Sequence, residues 1–322
     1  MILGYGGNMR KKIYRILGIM LLIAVLAAGQ ITNIQKEKSK RAVEAEIAQL
    51  KQQENAEGIV EETPDPYFIE EQKGYKYRSP QMIAYYSEIT QTMRHAMVFL
   101  PADYDDKKSY PVLYLLHGYG GSHRTWRNKK ANVILQNLSY FEDVPEMIVV
   151  CPNSNVNKEE SVDDTDFWSC IEPFDHTTEE VVQYLMPYIN SHYSVKQGRE
   201  NTAVAGNSMG GRNALAMAYT YPELFGYVGA FSSATAVEEA NDTSMISAPL
   251  HDLNLPVNKE KPFDVLMLAV GKSDDVCGEV TYELNDYMNQ QNIEHIFYDT
   301  EGGHQTVVWQ NALYNFARKI FK

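Results

Sequence analysis

Thr202-Ala203-Val204-Ala205-Gly206-Asn207-Ser208-Met209-Gly210-Gly211 decides the reading of this chain. A short apolar run meets a glycine, passes through one serine, and continues as a helical stretch from Met209 to Tyr219, stopped by Tyr221-Pro222. Glycines on both sides of the serine leave room for a strand and a helix to meet in a very tight turn. Such a turn lifts the Ser208 hydroxyl above the sheet edge as a nucleophile. It also sets Met209 at a helix start, where its amide faces a developing oxyanion. The strand before and the helix after are what make the five-residue pattern specific.

Outward from this turn, strand and helix alternate. Ile83 to Ile89, His95 to Leu100, Pro111 to Leu116, Met147 to Cys151, Tyr227 to Phe231, Val265 to Val270 and Ile293 to Tyr298 read as strands. Glu279 to Gln290 and Val307 to Ile320 read as helices. Several of the strands are almost continuously apolar, as suits strands buried on both faces of a mostly parallel sheet. The expected fold is α/β, with about eight strands covered by helices on both faces. Sites in such sheets lie at the carboxyl ends of the strands.

The rest of a nucleophilic site can be placed on that frame. His117-Gly118-Tyr119-Gly120-Gly121 follows the strand ending at Leu116. The Tyr119 amide is the expected second oxyanion donor, with Gly120 next. His117 reads as a structural hydrogen-bonding residue, because the base follows the nucleophile in chain order in this kind of fold. His304 sits in the glycine-rich loop Gly302-Gly303-His304 beyond a strand, and is the expected base. His251, in a proline-flanked segment, and His295, inside a strand, read as structural. The acid that orients the base follows Val270: Asp274 and Asp275 are adjacent, and spacing alone hardly separates them. Asp299 ranks third.

Five stretches then occur in a telling order: Leu115-Leu116-His117-Gly118-Tyr119-Gly120-Gly121, Pro152-Asn153-Ser154-Asn155, Pro187-Tyr188-Ile189, Ala205 to Gly211, and Gly302-Gly303-His304. With them the chain resembles the feruloyl esterase and acetyl xylan esterase family of carbohydrate esterases, a group similar to human esterase D and the mycolyltransferases. The resemblance covers roughly residues 75–322 and implies an alpha/beta-hydrolase fold. It implies Ser208 as nucleophile, His304 as base and, through the G-x-x-D loop Gly271-Lys272-Ser273-Asp274, Asp274 rather than Asp275 as the acid. It implies an ester of plant cell-wall polysaccharide as substrate, feruloyl or acetyl, and no cofactor. The chain departs from bacterial relatives at Asn207, where leucine or histidine is common. Between Asn155 and Glu180 lies an acidic, irregular stretch with Phe167, Trp168 and Phe174, expected to overhang the cleft. Trp168 and Arg212 are candidate substrate contacts, each with a packing or bracing role as the rival reading.

Composition narrows the partners. The chain has 322 residues and a net charge of −13, which argues against a nucleic-acid partner. The acids of residues 159–166 lack the spacing of a calcium loop, and Cys151, Cys170 and Cys277 lack paired metal spacing. One bridge among the three cysteines stays open in an exported chain. Arg10, Lys11, Lys12 and Arg15 precede an apolar run from Ile16 to Ala28, the pattern of an export signal or an uncleaved membrane anchor. Three regions are therefore expected: a leader over 1–29, a charged and partly helical spacer over 30–74, and a catalytic domain over 75–322. A secreted or anchored enzyme fits that order. The rivals are a small-molecule esterase or thioesterase of the S-formylglutathione hydrolase kind, an envelope acyltransferase, and a non-enzymatic binding protein on the same fold.

Overall fold

Val112–Leu116 is apolar at every position because both of its faces are covered. Leu113 and Leu115 enter one core cluster, while Val112, Tyr114 and Leu116 enter another. The same alternation runs through Ile148–Pro152, where Val149 and Cys151 face one side and Ile148 and Val150 the other. The computed structural model describes residues 6–62, 66–162, 171–235 and 263–322. Within them one sheet has eight strands: β1 (Gln81–Ser87), β2 (Thr92–Phe99), β3 (Val112–Leu116), β4 (Ile148–Pro152), β5 (Thr202–Asn207), β6 (Tyr227–Phe231), β7 (Val265–Gly271) and β8 (Ile296–Thr300). Their order is β1-β2-β4-β3-β5-β6-β7-β8. The β1–β2 and β2–β4 pairs are antiparallel and the others parallel, as the alternation in the sequence leads one to expect.

The helices are α1 (Gly6–Gln52), α2 (Thr125–Asn128), α3 (Ala131–Phe141), α4 (Ile171–Asp175), α5 (Thr177–Glu180), α6 (Met186–His192), α7 (Met209–Thr220), α8 (Gly278–Gln290) and α9 (Thr306–Ala317). Leu135 and Leu138 of α3 and Leu313 and Phe316 of α9 pack on one face of the sheet. Leu215 and Met217 of α7, Ile189 of α6 and Leu284 and Met288 of α8 pack on the other. The sheet thus carries its site-forming loops between two independently buried cores.

Two sequence expectations shift. β8 begins at Ile296, so His295 precedes the strand instead of lying in it. Its ring bonds the Ile293 carbonyl at 2.8 Å and Asn285 Oδ1 at 3.0 Å, which fixes a turn there. The second shift concerns residues 30–74. Val43, Ile47 and Leu50 of α1, together with Ile59, Val60 and Phe68, belong to the core cluster under α3 and α9. The Val60 amide donates to Asn315 Oδ1 at 3.0 Å, and Asn311 Nδ2 donates to the Val60 carbonyl at 3.0 Å. Packing on the domain therefore begins well before residue 75, because these apolar residues close its floor. Earlier in α1, Leu17, Met20, Leu21, Ile23, Val25 and Leu26 are exposed. Among the described residues no helix is long and apolar enough to cross a membrane.

Candidate active site

β5 ends at Asn207 and α7 begins at Met209, so Ser208 alone makes the turn, at φ 57° and ψ −125°. A non-glycine residue persists in that region only when its surroundings hold it. Here the Ser208 amide donates to the Phe231 carbonyl at 2.9 Å, and the amides of Gly211 and Ala234 donate to the Ser208 carbonyl at 2.9 and 3.1 Å. A side chain at Gly206 would place Cβ 2.4 Å from the Gly210 carbonyl oxygen. One at Gly210 would place it 2.6 Å from the carbonyl oxygens of Leu116 and His117. The two glycines are thus the space in which strand, helix and the loop after β3 meet. Met209 is the first residue of α7, so its N–H belongs to the unpaired first turn of the helix.

The loop after β3 closes on itself through the Gly121 amide, which donates to the Gly118 carbonyl at 3.1 Å across Tyr119 and Gly120. His117 holds this turn. Its Nδ1–H donates to the Gly118 carbonyl at 2.8 Å, and its Nε2 accepts the Ser154 amide at 2.9 Å. Burial pulls the His117 imidazole down to about 4, against the opposing pull of Gly118 and Asn153, so it is neutral. The structural role expected for His117 fits these contacts.

Asp274 ends the β7 loop with its carboxylate buried. His304 Nδ1 stands 3.0 Å from Asp274 Oδ2 and 3.1 Å from Oδ1. The amides of Cys277 and Val276 donate to Oδ1 at 2.8 and 3.1 Å. Burial opposes the carboxylate's charge, but the His304 and Cys277 hydrogen bonds outweigh it and bring the acid down to about 2. The neighbouring Asp275 is exposed. Asp299 is engaged elsewhere, accepting the Tyr282 hydroxyl at 2.9 Å. The carboxylate beside the imidazole is therefore that of Asp274.

Ser208, Met209, Tyr119, Gly120 and His304 line one cavity of about 650 Å³. Asn207 lines it too, buried beside Gly118. Arg212 does not line it. Its guanidinium is buried and bonds Asp175 Oδ1 at 2.6 Å and Asn213 Oδ1 at 3.2 Å, so it braces α4 against α7. Trp168 and His251 lie outside the described residues. Among the other residues lining the cavity are Lys129 and Trp309, which nothing in the sequence marks, and Cys277, which the sequence offers only as a cysteine without metal spacing. Burial, with the nearby Asp274 charge, pushes the Cys277 thiol up to about 12, although the Ser208 side chain hydrogen-bonds it. It is a neutral neighbour of the serine. The Trp309 ring stands edge-on to His304 at 5.1 Å between centres and an interplanar angle of 84°. Cys151 and Cys277 are free and belong to different buried clusters, while Cys170 lies outside the described residues. Among the described residues no three His, Cys, Asp or Glu side chains cluster to hold a metal ion.

Arg94 is fully buried and anchors the loop after β4. Its Nε pairs with Glu180 Oε1 at 2.9 Å. Its Nη1 donates to the carbonyls of Asn155 and Asn157 at 3.0 and 2.9 Å, and its Nη2 to that of Asn153 at 2.6 Å. Asn155 Nδ2 in turn donates to the Gly121 carbonyl at 3.0 Å, so the chain of contacts reaches the turn holding Tyr119. Arg94→Met would strand the Glu180 carboxylate without its cation in a dry interior. The expected loss is about 3–5 kcal/mol. Chemical denaturation of the variant beside the wild type measures it, and a loss under about 1 kcal/mol contradicts this account.

The "Putative esterase" family model matches residues 87–320. The chain belongs to this esterase family. Among curated relatives, an endo-1,4-beta-xylanase/feruloyl esterase of Xylanibacter ruminicola is 28% identical over 279 residues, covering 82% of this chain and 34% of that protein. The chain thus spans about a third of that relative's length. An acetyl esterase of Caldicellulosiruptor saccharolyticus is 24% identical over 266 residues, covering 72% of this chain and 94% of that one. Among solved structures, a CE1 ferulic acid esterase from Anaeromyces mucronatus in complex with ferulic acid is 30% identical. It matches with a TM-score of 0.73, covering 80% of this chain and 96% of the other. The alpha/beta-hydrolase fold expected for the esterase accords with these neighbours.

Proposed function

We propose that the chain is a serine carboxylic-ester hydrolase that removes feruloyl or acetyl groups from plant cell-wall polysaccharide, xylan above all. The observation that carries the reading is one cavity holding the strained Ser208 beside the His304–Asp274 pair, within a family whose structural relative binds ferulic acid. Its volume, about 650 Å³, is ample for a hydroxycinnamoyl group and far exceeds what an acetyl group needs, which favours the aromatic acid.

The reaction is two-step acyl transfer. His304 takes the Ser208 proton as the hydroxyl oxygen bonds the ester carbonyl carbon, and Asp274 holds the imidazole in the required tautomer. The amides of Met209 and Tyr119 receive the oxyanion. The tetrahedral intermediate collapses, the alcohol leaves with the proton from His304, and the acyl group stays on Ser208. Water, deprotonated by His304, then attacks the acyl-enzyme and frees the acid. No cofactor enters these steps. The basic residues Arg10 to Arg15 ahead of an apolar run support an exported enzyme, as a polymeric substrate outside the cell requires.

The test supplies feruloylated arabinoxylan fragments and acetylated xylo-oligosaccharides side by side and quantifies released ferulate and acetate. Ferulate release is the expected result. Acetate alone moves the reading to deacetylation. Neither product, from a folded protein that still hydrolyses an activated ester, overturns the polysaccharide assignment.

A further inference from the structure

Lys129 follows α2 and contributes to the cavity that holds Ser208 and His304. Its Nζ lies 4.6 Å from the centre of the Trp309 ring and 5.7 Å from that of Trp126. Its backbone is engaged: its amide donates to the Thr125 carbonyl at 3.0 Å, and its carbonyl accepts Gln310 Nε2 at 2.9 Å. Among the described residues no carboxylate pairs with the ammonium, and burial pulls its pKa down to about 8. Two indole faces stabilise the charge but accept none of its N–H bonds in the ordinary sense. A half-buried ammonium in that state is stabilised when an oxygen reaches it.

Resting on the esterase reading above, we propose that Lys129 is a specificity-determining residue that donates a hydrogen bond to an oxygen at the far end of an aromatic acyl group. The spacing carries this. Lys129 and His304 pack on the same indole: Nζ lies 4.6 Å from the centre of the Trp309 ring, and the imidazole centre 5.1 Å from it. Base and cation thus stand within one aromatic group's reach of each other, in the cavity that holds Ser208. A hydroxycinnamoyl ester can span such a gap, with its carbonyl at one end, a two-carbon link, one ring, and a para oxygen at the other end. An acetyl group ends at its first carbon and leaves Lys129 unanswered. Trp309 supplies an apolar wall of that cavity and offers the ammonium no oxygen.

The test compares methyl 4-hydroxycinnamate, methyl ferulate and methyl cinnamate, which differ at the ring but share the reacting ester. The wild type is expected to favour the two para-oxygenated esters over methyl cinnamate by about tenfold or more in kcat/KM, the value of one charge-assisted hydrogen bond. Lys129→Met keeps the aliphatic stem against the two indoles and removes the donor. It is expected to bring that ratio close to unity, with the change carried mainly by KM, because the bond is the same in ground and transition states. Lys129→Arg, which keeps a cationic donor, is expected to retain part of the preference. A loss of equal size on all three esters overturns the proposal and leaves Lys129 as a wall residue. A wild-type ratio already close to unity overturns it without any variant. Hydrolysis of none of the three by a wild type that still cleaves an activated acetate ester removes the feruloyl reading, and the proposal with it.

Discussion

Ser208→Ala is expected to lower kcat on an activated ester by about 10⁴- to 10⁶-fold, with the fold intact. The size follows from the loss of the only oxygen that forms the acyl intermediate in the proposed reaction. No neighbour replaces it. Cys277 lies beside the serine, but its thiol is pushed up to about 12, so it carries almost no thiolate at neutral pH. The backbone around residue 208 is held by hydrogen bonds of its own amide and carbonyl, which an alanine keeps. Initial rates, an acyl-enzyme burst and circular dichroism on the same preparation check the prediction. Activity above about one per cent of wild type in a folded variant contradicts the assignment of Ser208.

Asp274→Asn is expected to lower kcat by about 10⁴-fold, while Asp275→Asn stays within a few-fold of wild type. The neutral amide keeps the shape of the carboxylate. It allows the imidazole to turn its unprotonated nitrogen toward residue 274, and then no lone pair faces Ser208. Asp275 is exposed and has no such consequence. The wild-type pH profile separates the two carboxyls further. Asp274 has a folded pKa of about 2, below its unfolded value of about 3.9. The stability it contributes is present above about pH 4 and is lost as pH falls toward 2, so the carboxylate is still ionised where the acid limb of esterase activity is read. Steady-state kinetics of both variants over pH 5 to 9 test this. An equal loss in the two contradicts it.

What could be read ahead of the structure was what local chemistry encodes. The Gly206 to Gly210 turn, the apolar strands and the glycine loop around His304 each announce themselves within a few residues. Asp274 and Asp275 could not be parted by spacing. The separation lies in which carboxylate turns inward, a property of the β7–α8 turn as a whole. Lys129 was illegible for a stronger reason. Beside Lys130 it looks like an ordinary solvated cation, and only the arrival of Trp309, from the far end of the chain, half-covers it. The floor formed by Val43, Ile47 and Leu50 did carry a signal, since these residues repeat at helical spacing. The surrounding lysine and glutamate mask it, so the stretch has the look of a charged spacer.

That floor changes what counts as one unit of this protein. The family model begins at residue 87, yet the underside of the sheet is sealed by Ile59, Val60 and Phe68, and by a helix still further upstream. Asn311 and Asn315, within the matched region, spend their amides on the Val60 carbonyl, outside it. The span that the family model matches and the portion that must fold together therefore have different borders. A catalytic region cut at the border of the family model would lose the apolar underside of its own sheet, so the shortest piece able to fold reaches back into the helix before it.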